Sequence, residues 1–226
     1  MCGRFAFYSP SEATAALFGV DGALAVEPRF NIAPTQYVAA VRDNDTQDRE
    51  LVMLRWGLIP GWAKDATIGN RMINARAETV AEKPSYRAAF RHRRCLVLAD
   101  GFYEWHREGD AKVPYFISLQ SGEPFALAGL WESWKDKESG ELVQSTTLIT
   151  TAANDFMQPL HHRMPLILQP EAADEWLACK PDYFAQAVAT APPLQAWPVD
   201  RKVNNARNQG EDLIAPDGDI IAEPDL

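Results

Sequence analysis

Apolar residues along this chain recur mostly at every second position or in short unbroken runs, and seldom at the three-and-four spacing of a helix face. Strand-like runs cover 36–42, 51–58, 95–99, 102–106, 115–120, 125–134 and 142–150, with Gly, Asp, Glu and Pro turns between them. A further run at 164–168 and a short one at 195–199 complete the set. Helical spacing is confined to 85–92, 170–179, 182–189 and one short segment near the N-terminus. That segment opens Ser9-Pro10-Ser11-Glu12, which predicts Ser9 as N-cap, Pro10 at the first helical position and Glu12 closing a capping box. Gly19 is predicted to end it. Strands predominate and do not alternate regularly with helices. The predicted class is therefore α+β: a single domain over 1–226, built on a curved or barrel-like, mostly antiparallel β-sheet with peripheral helices. No internal repeat, low-complexity tract or long linker divides it.

Composition changes this picture little. Hydrophobic residues at 46% and charged residues at 23% suit a soluble globular domain. No run approaches the ~18 apolar residues of a membrane span, and the N-terminus lacks a signal-peptide core. Cys2, Cys95 and Cys179 are too far apart for a CxxC pair or a disulfide framework, so a cytoplasmic setting with reduced thiols is expected. Charge matters more. The net charge of −9 argues against a simple electrostatic nucleic-acid binder. Its distribution softens that, because a tail over 211–226 holds six acids and no Lys or Arg, and without them the balance is −3. The segment 71–94 carries seven basic residues against Glu78 and Glu82. This is either a local basic face or the solvated side of a helix bearing Arg87, Arg91 and Arg94.

Several polar residues sit where the pattern favours apolar ones. Glu104, in ADGFYEWH, shares a strand face with Phe102 and His106, opposite Tyr103 and Trp105. Among aromatics a carboxylate is desolvated and its pKa rises towards proton-transfer range; on an edge strand it would simply face solvent. Asn74 and Arg76 lie in RMINARAET, between two predicted elements. His161 and His162 lie in PLHHRMP, stiffened by Pro159 and Pro165, and are either acid–base groups or loop histidines. Trp62, after a Pro-Gly turn and near Lys64, either stacks on an exposed base or packs on its own core. The four histidines make no HxxxH or Cys-His cluster, so neither a metal nor a cofactor is expected.

The opening MCGRF adds the most specific chemistry. Methionine is usually removed ahead of a small side chain, which would leave Cys2 with an α-amine beside its own thiol. Alternatively, Cys2 is only an early residue of a first strand. An α-amine titrates near ~7.7–8.0, against ~10.4 for lysine, so a useful fraction is neutral and nucleophilic at pH 7. It attacks an aldehyde to give an imine, and the adjacent thiol closes a five-membered thiazolidine, favoured by proximity. Arg4 is expected to lower both pKa values and to attract a phosphate.

MCGRF, RFNIAPTQ, WGLIPGW, INARAET, ADGFYEW, TTAAN…HHRMPLIL and VNNARNQG occur in that order over roughly 2–213. In that combination the chain resembles the SRAP family, the SOS response-associated peptidase-like proteins that crosslink to abasic sites in DNA. The resemblance implies covalent capture of abasic sites in single-stranded DNA through Cys2, with Met1 removed by autoproteolysis or by a host aminopeptidase. By motif, Cys2 would be the nucleophile and Asn74 would orient the sugar and amine, while Glu104 and His161 would shuttle protons. Arg4, Arg76 and Arg163 would hold phosphates, Trp62 would contact bases, and His162 occupies a variable position without an implied role. A monomer acting in the cytoplasm, on the nucleoid when bound to damaged DNA, is expected. Some members carry two adjacent tryptophans where this chain has Trp62-Ala63, which weakens the expected wedging of bases. Two other readings compete: a thiol peptidase or N-terminal-nucleophile amidase, and a non-catalytic single-stranded DNA-binding module using the basic segment.

Overall fold

The computed structural model describes residues 2–223 apart from 24 and 45. Met1, whose removal the sequence reading expects, lies outside the described residues, as do the last three of the acidic tail. Fourteen strands and four α-helices are assigned among the described residues. The strands are β1 (Phe5–Phe7), β2 (Arg29–Ile32), β3 (Tyr37–Asp43), β4 (Arg49–Trp56), β5 (Asn74–Arg76), β6 (Arg94–Ala99) and β7 (Gly101–Glu108). They continue with β8 (Ala111–Leu119), β9 (Phe125–Lys135), β10 (Leu142–Ala152), β11 (Arg163–Pro165), β12 (Ile167–Leu168), β13 (Leu194–Pro198) and β14 (Ile221–Ala222). The helices are α1 (Ser11–Leu17), α2 (Arg87–His92), α3 (Ala173–Leu177) and α4 (Pro181–Ala189). No helix among the described residues is long and apolar enough to cross a membrane.

Five strands close a barrel. β3 pairs antiparallel with β4 and β6, β6 with β9, and β9 with β10, while β10 returns to β4 in parallel through Ser145 and Thr146 opposite Arg55 and Trp56. Because these strands bury side chains on both faces, β6 and much of β9 read in sequence as unbroken apolar runs. The main core fills the barrel and the space under α3 and α4, with Trp56, Leu54, Leu96, Leu98 and Trp176 fully buried. A second sheet, ordered β14-β13-β8-β7-β1-β2, packs beside it.

Two features of this frame bear on the site. β10 outruns the ring, and its far half carries β5 in parallel on one side and β11 antiparallel on the other. In the second sheet, β1 lies directly against β7, with Ala6 opposite Gly101. A Cβ on Gly101 would come within 2.2 Å of the Phe116 ring of β8, so only glycine leaves room for that ring beside β7.

The expected class, α+β around a barrel-like, mostly antiparallel sheet, is the observed one. Four local expectations are corrected. α1 begins at Ser11 with Pro10 at its N-cap; Ser9 does not cap it, because Ser9 N–H and Oγ both bond the buried Asp100 carboxylate. The helix expected at 170–179 is a 3-10 turn, Pro170–Ala172, followed by α3. The run 164–168 divides into β11 and β12, which pair with different strands. Arg94 is not on the exposed side of a helix: it opens β6, buried, with its guanidinium 4.5 Å from the Phe90 ring centroid and 4.6 Å from that of Trp176. Gly19, at φ +81°, ends α1 as expected.

Candidate active site

Backbone pairing gathers the candidates at the end of the barrel where β10 emerges. Just before β1, the Arg4 carbonyl accepts from Tyr103 N–H at 2.9 Å, and Phe5 faces Phe102, so the residues preceding β1 run alongside Glu104. On β5, Asn74 pairs with Leu148 of β10, and its Nδ2 donates to the Cys2 carbonyl at 2.7 Å. His161 lies two residues before β11, and its Nδ1 lies 4.0 Å from Glu104 Oε1. Cys2, Asn74, Glu104 and His161, spread over 160 positions of sequence, thus form one constellation.

Each group is tuned by its surroundings. Alternation along β7 puts Phe102 into the main core and Tyr103 and Trp105 into a second cluster with Ala6, Phe116 and Val203. Glu104 shares the Phe102 face and is only 4% exposed, so burial raises its carboxyl pKa. Burial lowers the pKa of His161. Both effects favour the neutral forms. His161 Nδ1 lies 3.0 Å from the Arg163 N–H, which donates to it, and 3.0 Å from the Arg163 carbonyl. The ring therefore has a backbone partner in either protonation state and need not move to exchange a proton. Among the described residues, the buried Asn74 Oδ1 has no hydrogen-bond partner.

Burial, and after it Glu104, push the Cys2 thiol well above its ordinary pKa. This corrects the expectation that Arg4 would lower it. Arg4 spends its charge elsewhere: Nη1 donates to Asn31 Oδ1 at 2.6 Å and to the Val203 carbonyl at 2.9 Å, and the guanidinium carbon lies 5.8 Å from the centre of the Trp105 ring. Asn31 is a fully buried hub, its Nδ2 within 3.0–3.2 Å of the Val203, Asn205 and Asn208 carbonyls. Gln209 donates to the Asn31 carbonyl, and Trp105 Nε1 donates to Asn204 Oδ1 at 2.6 Å. The C-terminal VNNARNQ segment is thereby clamped against the strand that leads from Cys2. Sequence reasoning missed this clamp, although its two halves stand in the quoted RFNIAPTQ and VNNARNQG stretches.

The expected phosphate-holding arginines differ in their surroundings. Arg76 is exposed on β5, two residues beyond Asn74 and so on the same side of the strand. Arg163, on β11, makes a two-pronged ion pair with Glu78 and also donates to the Thr150 carbonyl. Arg163 holds the Glu78 carboxyl below its usual range, with Arg76 adding to the effect. Glu78 thus sits as an acidic guard between the two cations. Trp62 is 61% exposed on the turn after β4 and takes no part in the network above among the described residues. Its neighbour Ala63 is buried, its carbonyl accepting from Trp134 Nε1. Among the described residues no three His, Cys, Asp or Glu side chains gather as a metal site requires.

Residues 1–206 match the family described as SOS response associated peptidase (SRAP). The chain is 42% identical over 223 residues to the abasic site processing protein YoqW of Bacillus subtilis, covering 95% of this chain and 99% of that protein. It is 34% identical over 228 residues to the abasic site processing protein YedK of Escherichia coli, covering 96% of this chain and all of that one. Among solved structures, a protein from Bacteroides thetaiotaomicron superposes with a TM-score of 0.85 at 24% identity, over 95% of this chain and 99% of that one, and so shares the fold.

Proposed function

This chain belongs to the SOS response associated peptidase family, and on that premise we propose that it processes abasic sites in single-stranded DNA by covalent capture through Cys2. One observation carries the reading: the Cys2 carbonyl is held by Asn74 in a buried setting beside Glu104, whose carboxyl lies 4.0 Å from His161.

With Met1 removed, Cys2 carries a neutral α-amine in useful amount at pH 7. Asn74 Oδ1, which has no hydrogen-bond partner among the described residues, would accept one of its N–H groups. The open-chain aldehyde of an abasic deoxyribose accepts the amine nitrogen and becomes a carbinolamine. Glu104, whose protonated form burial favours, would give its proton to the departing hydroxyl, which leaves as water. His161, kept neutral, takes the proton from the Cys2 thiol as sulfur adds to the imine carbon. One C–N and one C–S bond form, one water is lost, and the product is a thiazolidine. The protonation states suit Glu104 as the acid and His161 as the base of ring closure, with the roles exchanged on reversal. A thiol held above its ordinary pKa suits this amine-first order better than direct attack by a thiolate on a peptide bond. Arg76 is the exposed cation nearest in sequence to Asn74 and would hold the phosphate beside the lesion, with Arg163 joining once Glu78 yields it. Such contacts fix register and read no base. Removal of Met1 by the same groups, a peptidase-like act, belongs to this reading.

Intact mass spectrometry before and after incubation with an abasic single-stranded oligonucleotide tests it. The expected result is loss of Met1 and a heat-stable adduct equal to protein plus DNA less one water. Retention of Met1, or an adduct of equal yield with lesion-free DNA, overturns it.

A further inference from the structure

The face of β7 that carries Glu104 continues past the reacting groups. His106 and Glu108 follow on it at every second position, each step roughly 7 Å along the strand. On the neighbouring strand β8, Tyr115 stands directly opposite Glu104, and so on the same face. Its hydroxyl donates to Glu108 Oε1 at 3.2 Å, as a shared face requires. Its inner part packs on the main core, which fixes the ring in place. His106 and Tyr115 meet edge to face, with ring centroids 6.1 Å apart and planes 87° from parallel. Each ring therefore keeps at least one face that the other does not cover, and both side chains are partly exposed. The capture reaction uses neither.

The strand order β8-β7-β1 puts the segment bearing Cys2 on one side of Glu104 and Tyr115 on the other, roughly 10 Å apart by two strand spacings. A nucleotide adjoining the captured sugar reaches across that gap. The charge pattern says which part of it the rings suit. The charged side chains on this face of β7 are carboxylates, Glu104 and Glu108, whereas Arg107 and its cross-strand partner Lys112 point to the other face. Carboxylates repel a phosphate, while an uncharged base has a π-face that stacks on an aromatic ring.

We infer that His106 and Tyr115 form a stacking platform for the nucleobase next to the abasic site. The inference rests on the capture reading for the placement of the lesion beside Glu104. Stacking reads no sequence, because every base offers a π-face. It does distinguish an isolated lesion from a run of them, since two adjacent abasic sites leave the platform empty.

Fluorescence anisotropy on a Cys2→Ala background tests it with three single strands, each holding a tetrahydrofuran lesion. One keeps both neighbouring bases; in the others the upstream or the downstream neighbour is also replaced by tetrahydrofuran. The phosphates are the same in all three. Loss of one neighbour, and not of the other, is expected to weaken binding roughly five- to a hundredfold. Tyr115→Leu, which keeps an apolar side chain against the core, should weaken binding to the first strand by a similar factor and make it indifferent to that neighbour. Tyr115→Phe keeps the ring and should bind like the unaltered platform. His106→Leu supplies the same comparison where Tyr115→Leu destabilises the fold. Binding indifferent to both neighbours overturns the platform, and so do losses from variant and missing base that simply multiply. Crosslinking of the mature protein, Cys2 intact, to the same strands with a true abasic deoxyribose as the lesion separates this inference from the capture reading. Adducts on all three strands with equal affinities overturn the platform alone. No adduct on any strand overturns capture, and the affinities still decide the platform.

Discussion

Cys2 and Cys95 are both fully buried, and burial raises both thiols, Cys95 to about 12. Their neighbours differ completely. Cys95 sits on β6 inside the barrel, with Sγ 3.4 Å from Thr146 Oγ1 and so close to Gly129 that a Cβ there would lie 2.7 Å from sulfur. Its surroundings are packed and its polar contact is met. Cys2 lies beside a buried carboxyl, an imidazole and an asparagine whose Oδ1 has no partner among the described residues. Burial alone therefore does not distinguish a reactive thiol from an inert one; unmet polar capacity does. The largest effect should come from breaking this contrast. Cys2→Ala is expected to abolish the adduct with abasic single-stranded DNA on a denaturing gel. Cys95→Ala should crosslink fully and lose only about 1 kcal/mol of stability, read by chemical denaturation. Equal crosslinking by both variants would remove Cys2 from the chemistry.

Glu104→Gln sharpens the comparison next. The amide keeps the shape but cannot exchange a proton, so crosslinking should slow by roughly 10²–10⁴-fold. Stability should move the other way. The folded-state pKa of Glu104 lies above its unfolded value, so the native state binds the extra proton and loses stability as pH rises from the unfolded value through the folded one. The glutamine variant lacks that penalty. Its melting temperature should therefore match wild type in acid and exceed it at higher pH. A variant that is both slower and less stable at every pH would mean that Glu104 is structural.

The core side of this contrast was open to sequence and the site side only partly so. Barrel strands such as β6 are buried on both faces and announce themselves as apolar runs. β2 and β5 span four and three residues, too short to show a period, so Asn31 and Asn74 carried no strand signal. The face of Glu104 followed from strict alternation, because β7 has no bulge there. The capping box at Ser9 failed through tertiary competition: Asp100, distant in sequence, offers Ser9 a better acceptor than the helix end. Arg4 illustrates the deeper limit. Cys2 stands two residues before it, yet its charge is bound by Asn31 and Val203, contacts that exist only after distant parts of the chain have docked.

Asn31→Ala tests that clamp with a smaller expected effect. It would leave Arg4 Nη1 and the Val203, Asn205 and Asn208 carbonyls short of partners, at a cost of about 1–3 kcal/mol. If the clamp also positions Cys2, crosslinking measured well below the melting temperature should fall several-fold at saturating DNA, with half-saturation unchanged. Asn31→Asp keeps the acceptor for Arg4 and should restore the rate more than the stability. A stability loss with an unchanged rate would confine the clamp to folding.

The smallest effect concerns the acidic guard. Glu78 engages Arg163 through both carboxylate oxygens, and its charge also opposes Arg76. Glu78→Gln leaves both arginines in place and removes one negative charge beside the expected phosphate path. The surface pair itself contributes little to stability, because half of the Glu78 side chain is exposed. DNA affinity should instead rise a few-fold at low salt, and the slope of log affinity against log salt should steepen by about one phosphate contact as Arg163 becomes available. Fluorescence anisotropy with an abasic strand, on a Cys2→Ala background so that binding stays reversible, measures both. An unchanged slope would mean that Arg163 serves Glu78 and Thr150 alone, leaving Arg76 to hold the backbone beside Asn74.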